Sequence, residues 1–394
     1  MNETLPYFPF AHHGDAVSPE CRQLQETRPI SRVRTASAEA WLITSHPMAV
    51  RALEDERLSP ALQADLQAPG QVLGMPADAV SSMETFARDG LRKEFLRAIA
   101  PPRLAELEPW ARGAARSILD GIAASPQPVD LFSGYARRFP IALSCRLVGM
   151  PLAEGETLAE LSEAVMSLRP REPDAYLDDW QQLRDYFSGL LARPGLPDGV
   201  ARRYRDANAA RPPADRVDET RVADALAWFF ESSHVSASSV LGHAFVTMLD
   251  QCGMMEHLRG DSGDLSGVVE EALRHALFLN TGLQRVARQD IELGGTTIRA
   301  GELVLISADT ANRDPEAFPR PECFDPSRAA KGHLAFGHGA GHCPGSALGR
   351  LMLKVAIGEL ADRFPRMRLA VPCTEIEWRD DLLNRRPIRI PVSW

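Results

Sequence analysis

The stretch VADALAWFFESSHVSASSVLGHAFVTMLDQC, from about Arg221 to Cys252, constrains the fold most. It is long and largely apolar, and its polar residues are few and small. A helix of that kind suits a course through the middle of the molecule. A chain of 394 residues is large enough to surround it and to enclose a cofactor. Shorter helical periods flank it in AVRALEDERLS, LAELEPWARGAARSILDGIAA and LSGVVEEALRHALFL. Short strands are expected in AWLITS, DIELGGTTIRAGELVLIS and IRIPVSW, with IELGGTTI a hairpin on a Gly-Gly turn. DPEAFPRPECFDPSR holds too much proline for helix or strand. There is no internal repeat and no long linker. The expectation is one mostly α domain with minor β over residues 1–394.

The net charge of −9, from 44 basic and 53 acidic residues, argues against a general nucleic-acid binder. A local basic patch for an acidic redox partner is compatible with it. No stretch approaches about 18 apolar residues, so no membrane span is expected. The opening MNETLPYFPFAHHGDA lacks a charged segment followed by an apolar one, so no secretory signal is expected. The cysteines, Cys21, Cys145, Cys252, Cys323, Cys343 and Cys373, include no pair at CxxC spacing. That argues against zinc and against a disulfide scaffold, and the simple expectation is a reduced, cytoplasmic protein.

HLAFGHGAGHCPGSALGR, running from His333 to Arg350, gathers glycines around one thiol. Phe336, Gly337 and Gly339 precede Cys343, and Gly345 follows it. The glycines permit positive φ and let backbone approach something flat and bulky. SALGRLMLKVAIGELADRF then has helical spacing. This puts the sulfur at a helix N-terminus, where amide groups and dipole favour a thiolate. From these residues alone three readings stand: a metal ligand, a nucleophile, or an inert packed thiol.

The spacing F-G-x-G-x-x-x-C-x-G resembles the haem-ligand loop of the cytochrome P450 family, and the resemblance covers nearly the whole chain. EALR holds Glu271 and Arg274, a spacing that alone means a surface salt bridge worth about a few tenths of a kcal/mol. The resemblance implies instead a buried network, closed by Arg328 or Arg320 of the family-like coil ADTANRDPEAFPRPECFDPSR. Arg313 of that coil reads as a loop-surface residue. MSLRPRE and RRFPIALSCRLVGMP are also similar to family segments. The fold implied is triangular and mostly α, with haem b buried between the central helix and the cysteine loop. Cys343 is then the iron ligand, within a loop shaped by Phe336, Gly337 and Gly345.

The resemblance also implies cations for the haem propionates. Arg88 and Arg92, four apart on one helix face, and Arg285, entering a strand, stand where relatives carry them. The basic residue usual two positions before the cysteine is Gly341 here. His342 stands one position on and joins the expected cofactor-binding set.

Over the iron, relatives carry A/G-G-x-D/E-T. SSHVS falls in its place here, with Ser232 and Ser233 for the small pair, Val235 for the acid and Ser236 for the threonine. The alcohol is kept and the acid is lost, and Ser236, Ser232 and Val235 are the expected catalytic positions. The serines can also bond carbonyls one turn back. Family topology implies a substrate pocket of Met75, Met83, Trp228, Phe229, Leu279, Asn280, Thr281, Leu382 and Leu383. Glu231, one turn before Val235, is expected to face water, because an unpaired buried carboxylate is costly.

The activity implied is oxidation of a small organic molecule, an intermediate of specialised metabolism, by hydroxylation or epoxidation. It uses O2 and electrons from NAD(P)H through an external ferredoxin and ferredoxin reductase. A positioned acid is worth about 10²–10⁴-fold in proton delivery. Its loss at Val235 makes oxidative C–C or C–N coupling, without oxygen insertion, the alternative. A haem sensor or helper protein and a cysteine hydrolase are the rival classes.

Overall fold

The computed structural model describes residues 5–36, 38–60, 88–169, 172–251, 253–258, 265–328 and 330–394. The central helix runs unbroken over Glu219–Asp250. Asp218 caps it by accepting from the Thr220 N–H at 2.9 Å, which satisfies one of the otherwise unpaired first-turn donors. Most of its residues are buried, as the all-round apolar pattern requires.

Different helices bury its two halves. Arg138–Val148, Leu152–Val165 and Pro173–Ala192 enclose the N-terminal half, with Leu226 and Phe230 in that cluster. Pro101–Ala123 and Ser346–Arg363 pack on each other beneath the C-terminal half, with Leu241 and Phe245 in the same core cluster. These four side chains are completely buried, each worth about 2 kcal/mol. Glu359, buried in the contact between the last two helices, binds Arg112 at 3.0 Å and Arg116 at 2.7 Å.

The β structure is small, as expected. One sheet is ordered Ile30–Arg34, Glu39–Ile43, Leu303–Ile306, Leu283–Ala287, Leu58–Ser59. Its second and third strands are parallel and the other pairs antiparallel, with Arg285 opposite Val304. Ile291–Leu293 and Thr296–Ile298 form the hairpin. Its turn residues, Gly294 and Gly295, have φ of +56° and +79°, which only glycine adopts without cost.

The helix expected through LSGVVEEALRHALFL ends early, at His275. Tertiary hydrogen bonds end it. Arg313 Nη2 donates to the His275 carbonyl at 2.6 Å, and the Leu279 N–H donates to Asp309 at 2.6 Å. Arg313, expected at a loop surface, is therefore buried, with 3% exposure. Glu271 and Arg274, both fully buried, pair at 2.7 and 2.8 Å. Arg274 also donates to the carbonyls of Asn312 and Pro321, each at 2.9 Å. Arg328 Nε reaches Glu271 at 3.3 Å, while Arg320 contributes only a carbonyl to Arg328. Arg328 thus closes the network and orders the proline-rich coil without helix or strand. Among the described residues no helix is long and apolar enough to cross a membrane.

Candidate active site

A cavity of about 390 Å³ opens between the central helix and the cysteine loop. The loop takes its shape from glycines at two sharp points. Gly337 and Gly339 have φ of +69° and +63°, and a Cβ on Gly339 would sit 2.7 Å from the Leu53 carbonyl oxygen. The Cys343 N–H donates to the Phe336 carbonyl at 2.7 Å, and Cys343 lines the cavity just before the helix Ser346–Arg363. Burial pushes the Cys343 thiol up, while the Gly345 N–H and the Arg350 guanidinium oppose that rise. Arg350 also lies over the Phe336 ring, 4.7 Å from its centroid, and is held by Glu270 at 2.6 and 3.0 Å. Burial would raise Glu270, but His333 and Arg350 overcome it and hold the carboxyl at about 2.

The opposite wall belongs to the central helix. Trp228, Phe229, Ser232, Ser233, Ser236 and Ala237 share the cavity face. Ser232 Oγ donates to the Trp228 carbonyl at 2.6 Å, Ser233 to Phe230 at 3.0 Å and Ser238 to His234 at 2.6 Å. Ser236 differs: the amide of Asn384 donates to its Oγ at 3.5 Å. Leu279 completes this side, and Phe336, Gly337 and Gly345 line the loop side.

Several expected positions lie elsewhere. Val235 is buried but is absent from the cavity wall, because one helical step turns it about 100° from Ser236. Arg88 and Arg92 are exposed. On the helix Leu91–Ala98 it is Leu91 and Phe95 that face inward, which puts Arg92 in a surface groove with Lys93 and Arg97. His342 is exposed beside Phe336, because the turn Gly339–Gly341 aims it outward; burial and then Arg350 lower its pKa. Asn280 spends its amide on the carbonyls of Asp380 and Leu382, at 3.1 and 2.7 Å, and so staples the C-terminal segment. Thr281 and Leu382 are buried and Leu383 packs outside the cavity wall, its N–H bonded to Met166. Glu231 is buried with 3% exposure rather than facing water. Met75 and Met83 lie outside the described residues.

Other wall residues were not anticipated. Phe95 was legible, because Leu91, Phe95 and Ala98 recur at i, i+4 and i+7 within an otherwise charged segment. Leu348, Gly349 and Met352 were legible, since they continue the spacing of Gly345 up the cysteine helix. Gly349 lets the Phe336 ring pack close, since a Cβ there would come 3.2 Å from it.

The comparisons with known proteins agree with this geometry. A model of the family described as Cytochrome P450 matches residues 265–381. The mycocyclosin synthase of Mycobacterium tuberculosis is 34% identical, with 98% of each chain covered. The chain belongs to the cytochrome P450 family. The mycinamicin IV hydroxylase/epoxidase of Micromonospora griseorubida is 31% identical over 97% of this P450 and 96% of that protein. The crystal structure of cytochrome P450mel 107F1, described as having biaryl coupling reactivity, superposes with a TM-score of 0.86 at 28% identity, covering 97% and 98% of the two chains. This P450 has the family fold and is an oxidising enzyme of the monooxygenase class, which implies haem iron, O2 and a small-molecule substrate.

The residues present fit haem. A soft sulfur faces an apolar slot, and glycines keep side chains off its floor. A Cβ on Gly341 would lie 2.8 Å from Arg285 Nη2, so the Arg285 guanidinium occupies the space beside the loop.

Proposed function

We propose that this P450 hydroxylates or epoxidises an apolar intermediate of specialised metabolism on a haem held by Cys343. The observation that carries the reading is that Cys343 of the loop and Ser236 of the central helix line the same apolar cavity. Bound haem with a thiolate ligand supplies dioxygen activation, the sulfur's electron push favouring O–O cleavage. Arg285, beside Gly341, supplies a cation for a propionate. Phe336, Leu348 and Met352 exclude water from the thiolate side. Trp228, Phe229 and Leu279 wall the substrate side, as apolar small-molecule sites require. Ser236 accepts from Asn384, which leaves its own hydroxyl proton free to be donated into the cavity. Ser232, bonded to its own helix, holds the wall polar beside it.

Electrons come from NAD(P)H through a ferredoxin and its reductase. In support, Arg92, Lys93 and Arg97 stand exposed on the helix whose Phe95 reaches the cavity, a cationic surface suited to an acidic partner. The free thiols Cys21, Cys145, Cys323 and Cys373 suit the cytoplasm.

One observation favours a second outcome. The residue next to Ser236 is the apolar Val235, so no carboxylic acid assists proton delivery from that position. Oxidative coupling needs no oxygen insertion, and the P450mel structure is described with biaryl coupling reactivity. Turnover with NAD(P)H, a surrogate ferredoxin system and isotopically labelled O2 separates the two. Label in the product supports monooxygenation. An unlabelled product that has lost two hydrogens supports coupling. No product under either analysis, across substrates that shift the spin state, overturns the enzymatic reading.

A further inference from the structure

Tyr204 is a buried phenol with nothing to bond. It belongs to the helix Val200–Ala209, is 1% exposed, and lines the cavity. Among the described residues its hydroxyl makes no hydrogen bond. Nor is the oxygen sealed in the packing, as the Trp180 indole nitrogen is, so it stands open to the cavity. The charge that acts on it is Glu94, which Arg97 holds at 2.5 Å. Burial and then Glu94 push the phenol's pKa up, so Tyr204 stays a neutral donor. A phenylalanine would fill the same space without burying an unpaired hydroxyl.

The cavity has two ends. Ala225 and Ala237 both line it, and a rise of about 1.5 Å per residue sets them about 18 Å apart along the central helix. Ala237 and Val240 share a core cluster with Leu348 and Met352 of the cysteine helix. Tyr204 belongs with Ala225 and Phe229 to the other cluster. Phe95 walls that second end, edge-on to Phe229 with ring centroids 5.3 Å apart. Cys343 fixes haem at the first end and leaves the second to a substrate. The wall serines are already engaged: Ser232 and Ser233 donate to carbonyls of their own helix, and Asn384 holds Ser236. No charged residue and no histidine is among the described lining residues. A neutral donor in an uncharged, aromatic end is the chemistry that recognises an uncharged oxygen acceptor.

We propose that Tyr204 is a specificity determinant that anchors the remote end of the substrate, its hydroxyl donating to a neutral oxygen there. The inference rests on the reading of this cavity as the haem and substrate site. The enzyme then selects elongated, mostly apolar molecules whose carbonyl, ester or ether oxygen lies far from the carbon that is oxidised. Holding that oxygen at Tyr204 sets which carbon of a long substrate stands at the iron.

The test uses the haem-loaded enzyme and two series of N-alkylimidazoles of increasing chain length. One series ends in a methoxy group, and the other is its all-carbon isostere. The imidazole ligates iron at one end, so the Soret shift reports binding while the chain reaches along the cavity. In the wild-type enzyme the affinity ratio, methoxy over all-carbon, is expected to rise about tenfold from short chains to those that span the cavity. Tyr204→Phe, which removes only the hydroxyl, is expected to abolish that rise and to leave the short chains unchanged. A ratio that does not change with length in the wild type overturns the assignment, and so does a rise that survives in Tyr204→Phe. The wild-type series decides even where the variant fails to fold. The CO difference spectrum is recorded on the same samples. An intact thiolate band with a flat ratio removes Tyr204 from substrate selection and leaves the haem site standing, whereas loss of the wild-type band removes the cavity reading itself.

Discussion

Asn384 donates its side-chain amide to Ser236 Oγ across 3.5 Å, joining the C-terminal segment to the cavity face of the central helix. Ser232, Ser233, Ser238 and Ser239 all donate to carbonyls of their own helix. Ser233 is also touched from outside, by Ser144 Oγ at 2.7 Å, but it spends its proton on Phe230, whereas Ser236 accepts from Asn384 and keeps its own proton. Ser236→Ala is therefore expected to lower product formed per NAD(P)H by about tenfold, the missing electrons appearing as hydrogen peroxide. Asn384→Leu is expected to fall between that variant and the wild type. An unchanged ratio of product to NAD(P)H in Ser236→Ala contradicts the role.

The Glu271–Arg274 pair is fully buried, so its partners cannot be exchanged for water. Glu271→Gln keeps the shape and removes the charge opposite Arg274, which costs about 3–5 kcal/mol in thermal or denaturant unfolding. Arg328→Ala costs less, because Arg328 is partly exposed and its contact with Glu271 is longer. A Glu271→Gln variant as stable as the wild type contradicts the network's structural role.

Arg92 and Lys93 face outward from the helix Leu91–Ala98. Arg92→Glu combined with Lys93→Glu is expected to raise the KM for a ferredoxin several-fold while leaving haem content unchanged. Added salt shrinks the difference, since exposed charges are screened beyond about 10 Å at ~0.1 M. Loss of haem from this variant contradicts the exposed placement of Arg92.

His234 is buried, with Nδ1 2.6 Å from the Phe230 carbonyl and Nε2 without a partner. Burial lowers its pKa to about 4. The unfolded chain, with the ordinary histidine pKa of about 6.5, binds the proton first, so stability falls as pH drops from about 6.5 towards 4. The loss from this one group is on the order of 3 kcal/mol. His234→Asn keeps a donor to Phe230 and does not titrate. Its melting temperature is expected to match the wild type at neutral pH and to fall less steeply in acid. Parallel acid profiles contradict the assignment.

Local patterns were legible in the chain, and side-chain directions were not. The cysteine loop, the Gly294–Gly295 hairpin and the central helix each depend on residues close in sequence, so spacing alone locates them. Departures from the expected placement came where a rotation of about 100° or a distant partner decides. Val235 and Arg92 each sit beside a residue that reaches or supports the cavity, yet point elsewhere. Asn280 and Leu382 were consumed by pairing with each other's segment, which no local pattern records. The helix ending at His275 was stopped by Arg313, 38 residues away. Burial of Glu231 depends on packing around the whole helix, and chemistry alone argued against it.

The most direct measurement is the CO difference spectrum of the dithionite-reduced protein, wild type beside Cys343→Ala. The account predicts a band at about 450 nm in the wild type, from thiolate-ligated haem, and its absence in the variant. A wild-type band at about 420 nm, no haem signal, or a variant spectrum identical to the wild type would contradict Cys343 as the haem ligand.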